Sequence, residues 1–224
     1  MATIHPDVFQ FLSALEKNNN RDWFAEHKPA FQWAQKNVKQ TVLTVFNNLK
    51  QLDDITDYKM FRIYRDVRFS KNKLPYKTHF SASFQRRKPA LRGGYYIHIA
   101  PNNGSFLGVG FWDPNKADLL RIRQEFEADA SEIREIINQP NFKTVWGNLE
   151  GDELKSAPRN FDKQHPDIDL IRKKQYIFTK PFTDEQVLHT DFANQVVAAF
   201  KEVQPFFNYM SDVLTTNMNG ESLI

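Results

Sequence analysis

Apolar residues at Val8, Phe11, Leu12 and Leu15 recur at helical spacing behind Pro6, a residue suited to a helix's first turn, until the Asn18-Asn19-Asn20 break. A short helix is predicted over residues 21–27, and Pro29 opens a longer one. On that helix Phe31, Ala34, Val38, Val42, Val45, Leu49 and Leu52 form an unbroken i, i+3/i+4 stripe, as expected of a helix laid along a core. The pattern then turns to alternation. Over 61–69, Phe61, Ile63, Val67 and Phe69 fall on one face of a predicted strand, with Arg62, Tyr64, Asp66 and Arg68 on the other. Further strands are predicted at 80–84, 95–100 and 105–111, separated by turn signals at Lys88-Pro89, Gly93-Gly94 and Asn102-Asn103-Gly104.

Helices return at Asp113-Pro114, read as a cap followed by a first-turn proline, and again over 131–138 ahead of Pro140. After an irregular stretch, 168–174 reads as helix and 175–182 as strand. Thr183 to Gln186 is a capping-box pattern opening a C-terminal helical region that Pro205 interrupts. Strands at hairpin distance, between helical segments, predict an α+β fold: a mainly antiparallel sheet flanked by N-terminal and C-terminal helices. No linker or internal repeat divides the chain, so residues 1–224 read as one domain.

Composition narrows the function classes. The absence of cysteine excludes disulfides, thiol nucleophiles and cysteine-ligated metals. There is no apolar run of membrane-spanning length, and the start lacks a signal-peptide pattern, so a soluble cytoplasmic protein without a membrane partner is expected. The pI near 8.9 falls short of a general nucleic-acid binder. Charge is nevertheless concentrated. Residues 59–92 hold eleven lysines and arginines against one carboxylate, Asp66, a local charge of +10 in a chain of net +3; the remainder carries −7.

Cations threaded through aromatic and β-branched residues point to a positive concavity for a small phosphorylated or carboxylated ligand. The candidate ligand-binding residues are Arg62, Arg65, Arg68, Ser70, Lys73, Tyr76, Lys77 and His98, and the candidate catalytic pair is Asp66 with His79, at the edge of the basic block. Alternation places Arg65 among apolar neighbours, which predicts a buried, charge-paired guanidinium. Convergence of Arg62, Arg65 and Arg68 with Lys73 is expected, since guanidinium forks suit carboxylate and phosphate. Two other readings stay open. The arginines are neutralised internally by Asp22, Glu26 or Asp66, or the segment binds nucleic acid, with Arg86, Arg87, Lys88 and Arg92 on phosphates and Tyr95 stacked on bases. A charge run such as Arg86-Arg87-Lys88 is ordinarily solvated.

His98 shares a face with Tyr96 and reads either as a satisfied strand histidine or as a proton-transfer group. Arg123 is expected to point inward and Arg121 into solvent, while Asp167 reads as a helix cap. A second basic cluster, Lys155, Arg159 and Lys163 with Arg172-Lys173-Lys174, is interleaved with acids. No metal-ligand spacing, phosphate loop or nucleophile elbow is present, so neither metal nor cofactor is predicted. Gly108-Val-Gly110 is a very weak nucleotide motif.

Several segments carry a resemblance: Asn20-Arg-Asp-Trp-Phe-Ala-Glu-His-Lys28, then Arg62-Ile-Tyr-Arg-Asp-Val-Arg-Phe-Ser-Lys-Asn-Lys-Leu-Pro-Tyr-Lys-Thr78, Gly94-Tyr-Tyr-Ile-His-Ile99, Gly108-Val-Gly110, Leu154-Lys-Ser-Ala-Pro-Arg159, His165-Pro166 and Arg172-Lys173-Lys174. In this order they resemble the mostly bacterial domain of unknown function 2461 family, a resemblance that brings no assigned activity and no catalytic set. The chain departs from that pattern at Val67, where threonine is usual, at Asn72, where aspartate is usual, and at Asn160, where glycine is usual. Asparagine at 72 weakens any scheme that needs a carboxylate there.

Overall fold

The computed structural model describes residues 3–224. Helices α1 (Pro6–Lys17), α2 (Arg21–Glu26) and α3 (Lys28–Leu49) come first, then strands β1 (Ile55–Met60), β2 (Phe80–Arg86), β3 (Gly94–Ile99) and β4 (Ser105–Phe111). Helices α4 (Lys116–Ala128), α5 (Ser131–Asn138), α6 (Pro140–Trp146) and α7 (Ile168–Ile171) follow. The chain then forms β5 (Tyr176–Phe182) and closes with α8 (Asp184–Leu188), α9 (Phe192–Glu202) and α10 (Gln204–Thr215). The five strands make one antiparallel sheet in the order β1-β2-β3-β4-β5, with helical segments before and after it in sequence, so the fold is α+β.

Local chemistry accounts for the element ends. His5 accepts from the Asp7 amide ahead of Pro6, Asn20 caps α2 through the Trp23 amide, and a full capping box of Thr183 and Gln186 opens α8. Asn115, not Asp113, caps α4, accepting from the Ala117 and Asp118 amides. Helix α6 lies in a stretch that reads as irregular, and α7 is a single turn where a longer helix was expected.

The predicted strand at 61–69 does not form. The strand lies earlier, as β1, and the chain then leaves the sheet. The Phe61 amide still donates to Ser81, while Arg65 and Lys77 amides donate to the carbonyls of Pro75 and Ile63 around a single Tyr64–Tyr76 bridge. Between these short ladders, residues 66–74 form a loop braced by its own side chains: Ser70 accepts from the Asn72 amide and Asn72 from that of Leu74. Basic residues at every second or third position leave this loop no apolar face to bury, and Phe69 is 96% exposed.

The described residues divide into two compact units, each assembled from three separate pieces of chain. The first comprises the described part of Met1–Phe84 with Tyr96–Leu107 and Pro181–Ala198. In it α1 and α2 pack on α3, and the predicted stripe on α3 is buried from Phe31 to Leu49, with only Leu52, beyond the helix end, exposed. Phe24 joins this core, 5.1 Å from Phe31 and stacked 4.0 Å from Tyr76. Asn19 clamps Tyr76 by exchanging two hydrogen bonds with its backbone, so part of the triple-asparagine break pins the end of the basic loop.

The second unit comprises Gln85–Tyr95, Gly108–Lys180 and Ala199–Ile224. Its core is aromatic, with Phe126, Phe142, Trp146, Tyr176, Phe178, Phe206 and Phe207 buried. Gly110 has φ +125°, and a Cβ there would lie 2.1 Å from the Tyr176 carbonyl oxygen. Close approach of β5 therefore accounts for the second glycine of Gly108-Val-Gly110. Asn160 adopts φ +71°, a left-handed conformation that asparagine tolerates.

Candidate functional site

Alternation along the strands sorts the sheet residues of the first unit. Phe80, Ala82, Phe84, Ile97, Ile99 and Leu107 are buried at one phase; Ser83, Tyr96, His98 and Phe106, at the other, are half-buried. On this second set the His98 ring stacks on Phe106 at 4.6 Å, and His79, just before β2, lies over His98 at 4.0 Å. The Tyr96 hydroxyl is hydrogen-bonded to His98 Nδ1 at 3.1 Å and to Ser81. Phe61 extends the ring contacts beyond Tyr96, and the ammonium of Lys77 stands 5.5 Å from the Phe61 ring centre.

The electrostatics of the cluster are one-sided. Burial, then His98, Lys77 and Arg65, push His79 down to about 3; burial and Lys77 push His98 down to about 4. Both imidazoles are therefore uncharged at neutral pH. Lys77 is itself held below its ordinary value by burial and by the positive charges of Arg62 and Arg65, while burial raises the Tyr96 phenol. No carboxylate figures among the influences on either histidine or on Lys77.

Arg65 is half-buried and donates from Nε to the Tyr76 carbonyl at 2.9 Å. Among the described residues it makes no ion pair. The expectation of a buried, charge-paired guanidinium fails because 61–69 is not a strand and the side chain keeps contact with solvent. Arg62 is exposed and contributes to holding the Asp66 carboxyl below its ordinary value.

Arg68 and Asp66 pair with each other and not with the histidines. Arg68 forks onto Asp66 through Nε and Nη2 at 3.0 and 2.7 Å, and these bonds are the main reason the Asp66 carboxyl is lowered. Neither residue makes a hydrogen bond, ion pair or ring contact with the histidines. Lys73 donates to the Val67 carbonyl within the loop, Ser70 braces that loop, and Tyr76 is 4% exposed in the core. The structure thus groups Arg62, Arg65, Lys77, His79 and His98, and holds Asp66, Arg68, Ser70, Lys73 and Tyr76 in other contacts. Sequence reading missed Phe61, Ser81 and Phe106 as neighbours of the site. The available signal was their phase, since Ser81 and Phe106 each alternate with buried residues on their strands.

In the second unit two of the residues named for the nucleic-acid reading, Tyr95 and Arg86, are buried, while Arg87 and Lys88 are exposed. Tyr95 is 1% exposed and packs on Phe200 and Phe207. Arg86, expected in a solvated run, is 3% exposed, bonded to the carbonyls of Arg92 and Phe207 and to Ser211 and Asn208. Arg121 is not solvated: it pairs with Glu125 at 2.7 Å and donates to the Thr216 carbonyl, while Arg123 points inward to the carbonyls of Ile171 and Lys173. Asp167 pairs with Arg134 and makes no cap bond; Arg172 and Lys173 both reach Glu153.

Among the described residues no three histidines or carboxylates stand close enough to hold a metal ion, and no helix is long and apolar enough to cross a membrane. No curated protein and no solved structure gives a match. The family model described as "Conserved hypothetical protein (DUF2461)" matches residues 7–209, which takes in the whole of the basic segment, His79 and the strand that bears His98. The chain belongs to the DUF2461 family.

Proposed function

We propose that the sheet surface around His79 and His98 binds a small phosphorylated or carboxylated molecule, with Lys77, Arg65 and Arg62 supplying positive charge. The observation that carries this reading is the arrangement of cations beside two uncharged imidazoles with no carboxylate influencing Lys77 or either ring. The positive charges that help hold Lys77 and the two histidines below their ordinary values are countered by an anion, which favours its binding. Guanidinium and ammonium groups together suit a phosphate, the guanidinium giving directional bonds and the lysine a point charge. An anion on this surface also offsets the contributions of Lys77 and Arg65 to the lowered histidine values, while burial, the larger cause, remains.

Phosphate and pyrophosphate, added with a chelator present, are expected to raise the melting temperature. At 100 times Kd the gain corresponds to about 2.7 kcal/mol. Lys77→Gln removes the gain, whereas Arg68→Glu preserves it, since Arg68 is already engaged by Asp66. Stabilisation that survives Lys77→Gln, or that is seen only when the chelator is left out, contradicts the reading.

A further inference from the structure

The charges are accompanied by more aromatic surface than anion binding requires. Five rings follow one another in contact on the same surface: Phe61 with Tyr96 at 6.1 Å, Tyr96 with Phe106 at 5.9 Å, Phe106 with His98 at 4.6 Å and His98 with His79 at 4.0 Å. All five are half-buried. Lys59 and Lys77 both stand over the Phe61 ring, at 5.6 and 5.5 Å, so the cationic end and the aromatic strip meet there. A site for a bare phosphate is served by cations and hydroxyls alone. Flat, partly exposed rings beside those cations add recognition of a second flat, polarisable group.

We propose that the bound anion carries a planar aromatic ring, a nucleoside monophosphate being the simplest ligand of that chemistry: the phosphate lies against Lys77, Arg65 and Arg62 and the ring against the strip that includes Phe106. This assignment rests on the anion-binding reading above and goes beyond it in naming the ligand class. Two features commit it to a small ligand over a nucleic-acid strand. The chain outside residues 59–92 carries −7, which repels a polyanion, and the aromatic and arginine that a strand would have used, Tyr95 and Arg86, are in the core of the second unit.

The test is calorimetric titration of the full chain with adenosine monophosphate, ribose 5-phosphate and adenosine. Adenosine monophosphate is expected to bind roughly 10-fold or more tightly than ribose 5-phosphate, the gain of stacking one base. Phe106→Leu, which keeps apolar bulk and loses the ring, brings the two within about 3-fold of each other. Equal affinity of the two phosphates for the unmodified protein overturns the ring assignment while anion binding stands, and needs no variant to be decided. Binding of neither phosphate overturns both. A single-stranded oligonucleotide that binds more tightly than adenosine monophosphate overturns the assignment to a small ligand.

Discussion

Arg86→Ala is expected to lower the unfolding free energy by about 3–5 kcal/mol, because several acceptors lose a charged donor at once and the buried ones are left unpaired. The guanidinium is 3% exposed and lies 5.1 Å from the Phe207 ring centre. Nη1 bonds to the carbonyls of Arg92 and Phe207 and to the Ser211 hydroxyl, and Nη2 to the Asn208 side chain. The Ser211 hydroxyl in turn accepts from the Arg92 amide, so one side chain fixes the turn after β2 against α10 within the second unit. Alanine leaves the buried Phe207 carbonyl and Ser211 hydroxyl without this charged donor. Arg62→Ala, at an exposed position, is expected to change stability by less than about 0.5 kcal/mol. Denaturant melts of the two variants decide the matter, and equal midpoints contradict the buried network.

Acidification is expected to destabilise the protein before most carboxylates titrate, through His79 and His98. Their folded values, about 3 and about 4, lie below the ordinary histidine value of 6.5. Below pH 6.5 the unfolded chain therefore takes up protons that the folded rings refuse. Stability rises with pH through this window and is lost as pH falls from 6.5 toward 4. A full proton per ring corresponds to about 1.4 kcal/mol per pH unit. Solvent reaches both rings, and halving for screening leaves about 2 kcal/mol for the pair between pH 6.5 and 5. The double variant His79→Gln, His98→Gln flattens that slope. A slope identical to the parent's between pH 6.5 and 5 means that the rings protonate freely in the folded protein.

Much of the framework was legible because periodicity is a backbone property. The stripe from Phe31 to Leu49, the strands β2 to β4 and the Thr183 capping box follow from spacing alone. The basic segment misled for a physical reason. Alternation over 61–69 is shared by a true strand and by two short ladders joined by a loop, and only the long-range pairing of Tyr64 with Tyr76 separates them. The same rule applied one strand later would have found the buried arginine. Phe80, Ala82, Phe84 and Arg86 share a phase, and carrying β2 two residues beyond Phe84 brings Arg86 inward. Of the candidate site, the pairing of His98 with Tyr96 was readable from one strand. Its contacts with His79 and Phe106 join three segments, and no local pattern encodes which strands become neighbours. Each of the two units is built from three separate pieces of chain, a grouping that no local pattern in the sequence marks.

The central claim, an anion site built around neutral imidazoles, is tested most directly by nuclear magnetic resonance of the histidine side chains at pH 6, with phosphate added stepwise. The account predicts that His79 and His98 show the ring nitrogen shifts of neutral imidazole in the free protein and that their signals shift as phosphate is added, a response lost in Lys77→Gln. Rings already protonated at pH 6, or neutral rings whose signals do not respond to phosphate, would contradict it.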